Sequence, residues 1–179
     1  MEVKASIFAC LQKRGNAMLV PAIYYKEEIL DEFKRLFYTK EVGYYMGCRE
    51  HGLPNIADED RNDLRQYAIV DSNNDLIGYF AYHVDFYNSC ACGFGLISFS
   101  DTLEPIIVKD VLDEIDKILY DWKLHRVEWN MIGDNPIKKH YDKFCEEHNG
   151  RILKFRDVVK TELGEYLCSY AYEIINEKG

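Results

Sequence analysis

The sequence predicts an α+β fold: a mostly antiparallel mixed sheet with one parallel, splayed strand pair and with helices on its faces. Three apolar segments separated by short polar turns, over about residues 66–99, are typical of an antiparallel meander. Two segments of helical periodicity alternate with the strands that follow. A strand reached through such a helix runs parallel to the strand before it, which predicts the parallel pair.

The first part of the chain, up to about residue 65, is predicted to be helical or irregular. Residues 17–24 favour a short edge strand, because Pro21 has no backbone N–H to give to a sheet. Residues 26–38 predict a helix with apolar side chains at helical spacing, namely Ile29, Leu30, Phe33, Leu36 and Phe37. Residues 44–46 (Tyr-Tyr-Met) either floor a binding pocket or pack as a loop.

The meander begins near residue 66. Its strands are expected over 66–71, 76–87 and 90–100. Polar residues around Asn74 and Asn88 supply the turns between them, because such residues tolerate left-handed backbone conformations. Gly93 and Gly95 lie inside the third strand, where glycine indicates a bulge or close packing.

The parallel pair is predicted around the first long helix. Residues 107–123 form one wide apolar face, Pro105 lies where the helix would start, and the acidic run 110–116 is expected on a solvated face. The strand 126–132 should then lie parallel to the strand at 91–99. Two parallel strands inside an otherwise antiparallel sheet form a splay, through which a ligand can enter.

A second helix and a hairpin complete the predicted fold. Asn135 is expected as the helix N-cap with Pro136 at the first position, and Asn149-Gly150 should end the helix. Residues 151–175 then read as two strands joined by a turn at Gly164.

This order of elements resembles the GNAT-type N-acetyltransferase family. The resemblance covers about residues 26–175 and is closest over residues 125–155, HRVEWNMIGDNPIKKHYDKFCEEHNGRILKF, followed by a hairpin ending in SYAYEI. It implies one GNAT-like acetyltransferase domain over residues 1–179, with an N-terminal part at 1–65 and a core at 66–179. It also implies transfer of an acetyl group from acetyl-CoA to an amine, with the pantetheine arm in the splay.

The resemblance further implies site residues. Tyr141 would protonate the departing thiolate, and the alternative is a tyrosine at the edge of the core. Asn135 would contact the cofactor's arm, which is compatible with helix capping. A backbone donor at the splay should polarise the thioester carbonyl, since negative charge develops on that oxygen. The residues predicted to bind the cofactor are Ile97, Ser98, Phe99, Lys109 and Asn135.

The segment 98–109 departs from the family's pattern. The family carries (Gln/Arg)-x-x-Gly-x-(Gly/Ala) there, whose glycines let backbone N–H groups wrap the pyrophosphate. Here the segment has neither glycine nor arginine, and Asp101 and Glu104 stand where a diphosphate would lie. The rival hypothesis is therefore a GNAT-like fold that works as a non-catalytic binding or interaction module.

His83 or Asp85, which share one face of their strand, could supply a base to deprotonate the amine. Glu128 and Asn130 share one face of theirs and could contact the substrate. The alternative for the first pair is a solvated face with its neighbours inward.

Composition limits the classes of partner. The 179 residues contain 22 Lys and Arg against 31 Asp and Glu, a formal charge of −9, which argues against nucleic acid and suits a cationic small-molecule or peptide amine. No apolar run is long enough to span a bilayer, and the start lacks a long apolar signal region. We therefore expect a cytoplasmic protein without a membrane partner; a homodimer is left open.

The six cysteines are expected to be reduced and mostly buried, with no metal bound. The alternative is a zinc site, because Cys48-x-x-His51 recurs as Cys145-x-x-His148 and two such pairs could complete a tetrahedron.

Overall fold

The computed structural model describes residues 18–37, 53–59, 61–100, 105–133, 135–161 and 163–177. These residues form one seven-stranded mixed sheet with the order β1-β2-β3-β4-β5-β7-β6. The strands are β1 Met18–Pro21, β2 Leu64–Val70, β3 Leu76–Asp85, β4 Cys90–Ser98, β5 Arg126–Ile132, β6 Arg151–Lys160 and β7 Tyr166–Ile175. The helices are α1 Lys26–Phe37, α2 Pro105–Tyr120 and α3 Lys138–Glu147. The predicted α+β class is confirmed.

The first strand lies at one edge of the sheet, as predicted, and pairs antiparallel with β2. It is shorter than expected, because the chain leaves the sheet at Pro21 and enters a 3₁₀ turn over Ala22–Tyr25. Proline fixes φ and cannot donate to a ladder, so a strand end is the position that suits it.

The predicted meander is present, and its third strand contains the expected bulge. The register of β3 against β4 shifts between Ala81 and His83. Gly93 lies opposite this shift with φ +66°, a conformation that glycine adopts without the steric cost other residues bear. The bulge increases the local twist of β4 just beyond the last position at which that strand pairs with β5.

The parallel pair is confirmed and it is very short. Strands β4 and β5 pair at only two positions, Cys90 with Arg126 and Ala91 with Val127. Beyond these positions β5 continues its antiparallel pairing with β7 up to Ile132. The two strands thus diverge toward their carboxyl ends, which forms the predicted splay.

The sheet carries a core on each face. Helices α2 and α3 cover one face, with fully buried side chains that include Trp129, Tyr82 and Tyr172. Helix α1 covers part of the opposite face, over β1, β2 and the amino-terminal part of β3. Among the described residues, no helix is long and apolar enough to cross a membrane.

Helix α2 begins at Pro105, as predicted, but its acidic run is not fully solvated. Asp110 and Glu114 are 8% and 6% exposed, so the expectation of a solvated face is wrong for both. The carboxylate of Glu114 accepts hydrogen bonds from the hydroxyls of Tyr82 at 2.6 Å and Tyr67 at 3.2 Å. These strand tyrosines make burial of a carboxylate tolerable, because each supplies a donor.

Helix α3 begins at Lys138, which is later than predicted. Asn135 still closes the turn in front of the helix, since its Oδ1 accepts from the N–H of Ile137 at 3.1 Å and its carbonyl accepts from the N–H of Lys138 at 2.9 Å. The helix ends at Glu147, and Asn149 and Gly150 form the termination that was predicted. Asn149 has φ 54°, and the N–H of Gly150 donates to the carbonyl of Cys145 at 2.7 Å, which is a Schellman termination.

Candidate active site at the strand splay

The β4 side of the splay offers backbone groups to a ligand. The N–H of Phe99 donates to the carbonyl of Ile77 at 2.9 Å, so Phe99 bonds toward β3. In an antiparallel ladder, alternate residues bond to the same neighbouring strand. Leu96 and Ser98 therefore direct their N–H and C=O groups away from β3 and toward β5.

The β5 side is arranged in the same way. The N–H of Gly133 donates to the carbonyl of Cys168 in β7 at 2.8 Å. By the same alternation, Glu128, Asn130 and Ile132 direct their backbone groups toward β4. The splay is thus a wedge with amide and carbonyl groups on both walls, and such groups can bond the amides of an extended ligand or polarise a carbonyl.

Ile97, Ser98 and Phe99 were predicted to hold the cofactor through their main chain, but their backbone groups do not all face the splay. Only Ser98 directs its backbone toward the splay. Ile97 pairs with Tyr79 of β3, and the carbonyl of Phe99 accepts from Nη2 of Arg35 at 2.8 Å. Sequence reasoning missed Leu96, which the alternation of the ladder places beside Ser98 on the same wall.

Tyr141 lies on the face of α3 that packs against β5 and β7. Its ring meets Trp129 edge-on at 5.6 Å between ring centroids and Tyr172 at 5.7 Å. Burial raises the pKa of the Tyr141 phenol above its ordinary value. The phenol therefore stays protonated at neutral pH, as a group that donates a proton to a leaving thiolate must. The packing equally suits the alternative, a tyrosine of the core.

Asn135 is half-buried at the carboxyl end of β5. Its Oδ1 is used by the turn described above, so the side chain can offer a ligand only the two N–H donors of its amide nitrogen. A donor suits the carbonyl groups of a pantetheine arm. Lys109, in contrast, lies on the exposed side of α2 and its Nζ is 2.6 Å from Oδ2 of Asp113. Its charge is therefore balanced by a neighbour; Asp101 and Glu104 lie outside the described residues.

The sheet face opposite α2 and α3 carries an open cavity of about 430 Å³ beside the bulge. Its lining contains two carboxylates and one imidazole, and consists of Asn62, Asp63, His83, Val84, Asp85 and Phe86. Hydrogen bonds from Asn88 hold the pKa of Asp85 below its usual range, and the guanidinium of Arg61 does the same for Asp63. Both carboxylates thus stay negative, and the cavity suits a cation.

His83 connects this cavity with the splay. It lies opposite Cys92 in the β3–β4 ladder, and a Cβ added at Gly93 would be 3.3 Å from its Cδ2. A Cβ added at Gly95 would meet nothing within 4 Å. Since these glycines put no side chain on β4, the surface between His83 and the splay is open. Tyr82 and Val84 point inward, so His83 and Asp85 share the solvated face of β3.

Glu128, predicted as a possible substrate contact, is held in an ion-pair network on the same sheet face. Its carboxylate pairs with the guanidinium of Arg126. The Nε of Arg126 also lies 3.2 Å from Oε1 of Glu173, whose Oε2 is 2.7 Å from Nη2 of Arg151. Asn130 is exposed on this face. The carboxylate of Glu128 is engaged by a guanidinium, whereas the imidazole of His83 lines the cavity, so His83 is the better placed candidate for the base.

The residues of the second Cys-x-x-His pair have other partners. The thiol of Cys145 is buried 3.9 Å from the carbonyl of Glu173, and Nε2 of His148 is 2.8 Å from Oδ1 of Asp116. Cys48 and His51, the first pair, lie outside the described residues. Among the described residues no three Cys, His, Asp or Glu side chains are grouped closely enough to hold a metal. Of the four cysteines described, one is buried and three are half-buried.

Solved structures with this architecture are acetyltransferases. The chain has a TM-score of 0.64 to a GNAT-family acetyltransferase from Bacillus anthracis at 15% identity, covering 93% of this chain and 98% of that one. It has a TM-score of 0.63 to the spermidine N-acetyltransferase from Vibrio cholerae in complex with CoA and spermine, at 13% identity and covering 92% and 98%. The chain has the GNAT fold. No family model matches its sequence, and neither does any curated protein.

Proposed function

We propose that this protein transfers an acetyl group from acetyl-CoA to a primary amine. The observation that carries the proposal is the splay between β4 and β5, whose walls present backbone amides at the point where the strands part. The GNAT-fold neighbours are acetyltransferases, which supports the reaction class. We further propose that residues 1–179 form a single domain and that the protein acts in the cytoplasm.

The proposed reaction is a direct transfer. The amine nitrogen forms a bond to the acetyl carbon, the carbon–sulfur bond breaks, and the sulfur leaves as a thiolate. His83 accepts the proton that the amine gives up, and Tyr141 donates a proton to the thiolate. A backbone N–H of the β4 wall, from Leu96 or Ser98, stabilises the negative charge that develops on the carbonyl oxygen.

The pantetheine arm is proposed to lie in the splay. Asn135 donates an amide N–H to one of its carbonyls, and the main chain of Ile97–Phe99 borders it on the β4 side. Ile97 supplies apolar surface there rather than a donor, because its backbone groups bond toward β3. The side chain of Phe99 is buried against Phe33 under α1, so Phe99 supports this wall from behind. Lys109 can contribute to cofactor binding only by leaving Asp113.

The acceptor is proposed to be a cationic amine that binds in the cavity beside the bulge. Asp85 gives this cavity negative charge, since the charge of Asp63 is balanced by Arg61, and the net charge of −9 attracts cations to the whole surface. The Vibrio cholerae protein was solved with spermine, a molecule of this class. His83 lines the cavity and faces the bulge, so an amine held there lies between its base and the splay.

Calorimetric titration with acetyl-CoA, followed by an acetyl-transfer assay against polyamines, aminoglycosides and basic peptides, tests the proposal. We expect binding and turnover with at least one cationic amine. His83→Gln should lower kcat by roughly 100-fold or more, the usual contribution of a general base, and added imidazole should restore part of the rate. Absence of acetyl-CoA binding at millimolar concentration would refute the proposal.

The alternative function is a non-catalytic binding module. The observation that favours it is the start of α2, where the segment 98–109 lacks glycine and Lys109 is paired with Asp113. In that case an amine should raise the thermal stability of the protein while acetyl-CoA leaves it unchanged. A ligand at 100 times its dissociation constant stabilises by about 2.7 kcal/mol, which a thermal-shift measurement detects easily.

A further inference from the structure

Among the described residues, most of the positive charge without a carboxylate partner lies on β6 and at the start of α3. Ten of the sixteen described Lys and Arg side chains lie within ion-pair distance of a carboxylate. The other six have no such partner among the described residues. Four of those six are close together in the fold: Lys139 at the start of α3, and Lys154, Arg156 and Lys160 on β6.

The lysines of this region are held against tyrosine rings. The Nζ atoms of Lys138 and Lys154 lie 4.5 Å and 5.8 Å from the ring centre of Tyr170, and Nζ of Lys160 lies 5.7 Å from that of Tyr166. Lys154 and Lys160 are directly opposite these two tyrosines in the β6–β7 ladder. We call Lys138, Lys154, Lys160, Tyr166 and Tyr170 the lysine–tyrosine patch.

The patch brings like charges together instead of dispersing them. Lys138 and Lys154 approach the same ring of Tyr170, although two ammonium groups repel each other at close range. The charge of Lys138 is balanced by Asp142, whose other oxygen accepts from the hydroxyl of Tyr172 at 2.7 Å. Lys154 and Lys160 are exposed and have no such balance among the described residues. They lie opposite Tyr170 and Tyr166, about 13 Å apart along β7, so a ligand with more than one anionic group would lower the free energy of the patch.

Topology places the patch at the mouth of the splay. Strand β6 is antiparallel to β7, and β7 is antiparallel to β5, so β6 and β5 run in the same direction. Their carboxyl ends therefore lie at the same edge of the sheet as the carboxyl end of β4. Lys160 ends β6 at this edge, and Lys138 begins α3 there.

We propose that the lysine–tyrosine patch binds the phosphate groups of acetyl-CoA, in place of the glycine-rich segment that starts α2 in the family this chain resembles. The proposal rests on the proposed function and extends it. A pantetheine arm that leaves the splay past Asn135 reaches the start of α3, where Lys138 and then Lys154 and Lys160 can pair with its diphosphate and 3′-phosphate. The acidic segment before α2 then needs no contact with phosphate.

Matched variants test this assignment. Lys154→Gln with Lys160→Gln removes two charges from the patch. Lys34→Gln with Lys143→Gln removes two exposed charges elsewhere, so both double variants have the same net charge. Calorimetry with CoA should give an affinity at least about tenfold weaker for the patch variant, because each lysine–phosphate contact is a charge-assisted hydrogen bond. The second variant should stay within about threefold of the unmodified protein.

The donor S-acetylpantetheine, which has no diphosphate, controls for folding and for the rest of the site. Its turnover should be equal in the patch variant and the unmodified protein. Equal CoA affinity in the patch variant and the unmodified protein would overturn the assignment, as would a larger loss in the Lys34/Lys143 variant. Displacement of CoA by a short single-stranded oligonucleotide of equal or higher affinity would also overturn it, because the patch would then be a general polyanion site. If the unmodified protein binds no CoA, the proposed function itself fails.

Discussion

Helices α2 and α3 begin at the same edge of the sheet, each after one strand of the parallel pair, and both cover the same face. Their first turns are very different. At the start of α2, Lys109 is paired with Asp113, and Asp110 is buried with no hydrogen-bond partner for its Oδ2. At the start of α3, Asn135 keeps two N–H donors available, and Lys139 has no carboxylate partner among the described residues.

Two helices at equivalent positions of one fold can thus differ in the polar groups that their first turns offer to a ligand. Helix α2 is apolar over most of one face and packs deeply against the sheet, so it serves mainly as structure. Helix α3 is shorter. Asn135 lies in the turn before it and Lys138 and Lys139 lie in its first turn, at the edge where the splay opens. The variants below separate the two roles.

The largest effect is expected at Tyr141 on α3. Tyr141→Phe keeps the packing against Trp129 and removes only the hydroxyl, so the melting temperature should hardly change. If the phenol protonates the thiolate, kcat should fall by about 100-fold or more while the affinity for CoA stays constant. Steady-state kinetics and calorimetry measure both, with the exposed Tyr120→Phe as control. An unchanged kcat would show that Tyr141 is a core residue only.

The next largest effect is expected at Asp110 on α2, and it concerns stability. Burial raises the pKa of Asp110 from 3.8 to about 6. The folded state therefore holds a proton that the unfolded state releases, and stability falls as pH rises from about 4 to 6. Above pH 6 the free energy of unfolding is lower than at pH 4 by up to about 3 kcal/mol from this group.

Asp110→Asn should remove this pH dependence. The variant should melt at a higher temperature than the unmodified protein at pH 7.5 and at nearly the same temperature at pH 4. The control is Asp113→Asn on the exposed side of the same helix, which should not stabilise at pH 7.5. A destabilised Asp110→Asn variant at pH 7.5 would contradict the interpretation of Asp110 as a buried, unpaired acid.

An intermediate effect is expected at Asn135, where two substitutions distinguish two roles. Asn135→Ala removes the oxygen that caps the turn and should cost about 1 kcal/mol of stability. Asn135→Asp retains that oxygen but loses the amide donors. It should keep the melting temperature and still weaken CoA binding. Equal CoA affinity in Asn135→Asp and the unmodified protein would limit Asn135 to capping.

The smallest effect is expected at Lys109. An exposed i,i+4 ion pair contributes little to stability because solvent screens it and two long side chains lose freedom. Lys109→Gln should leave both the melting temperature and the CoA affinity nearly unchanged, the latter within about threefold. A tenfold loss of affinity in calorimetry would place the phosphates at α2 and reverse the comparison between the two helices.

The sequence allowed the sheet to be predicted because its signals are local. Strand periodicity located the meander, and the rule for helical crossovers predicted that β4 and β5 run parallel. The burial of Glu114 could not be predicted, because its donors, Tyr67 and Tyr82, lie far away in the chain. A run of acidic residues on a helix carries no sign of partners on a distant strand.

The candidate site was harder to predict from the sequence, again because it depends on residues that are far apart along the chain. The residues Asn135 and Tyr141 carried a family resemblance, but their roles stay predictions. The open surface between His83 and the splay depends on the bulge at Gly93 and on Gly93 and Gly95 themselves, which have no side chains to cover it. The lysine–tyrosine patch depends on cross-strand register, since Lys154 meets Tyr170 only when β6 and β7 are aligned.

The wedge between β4 and β5 has a consequence for the exchange of amide hydrogens with solvent. Along β5, amides that bond to β7, such as those of Trp129 and Met131, should exchange slowly. The intervening amides of Asn130 and Ile132 lie beyond the paired positions, face the wedge and should exchange much faster. Protection along this strand should therefore alternate residue by residue, a pattern that a fully paired central strand would not show. A ligand that fills the wedge should abolish the alternation.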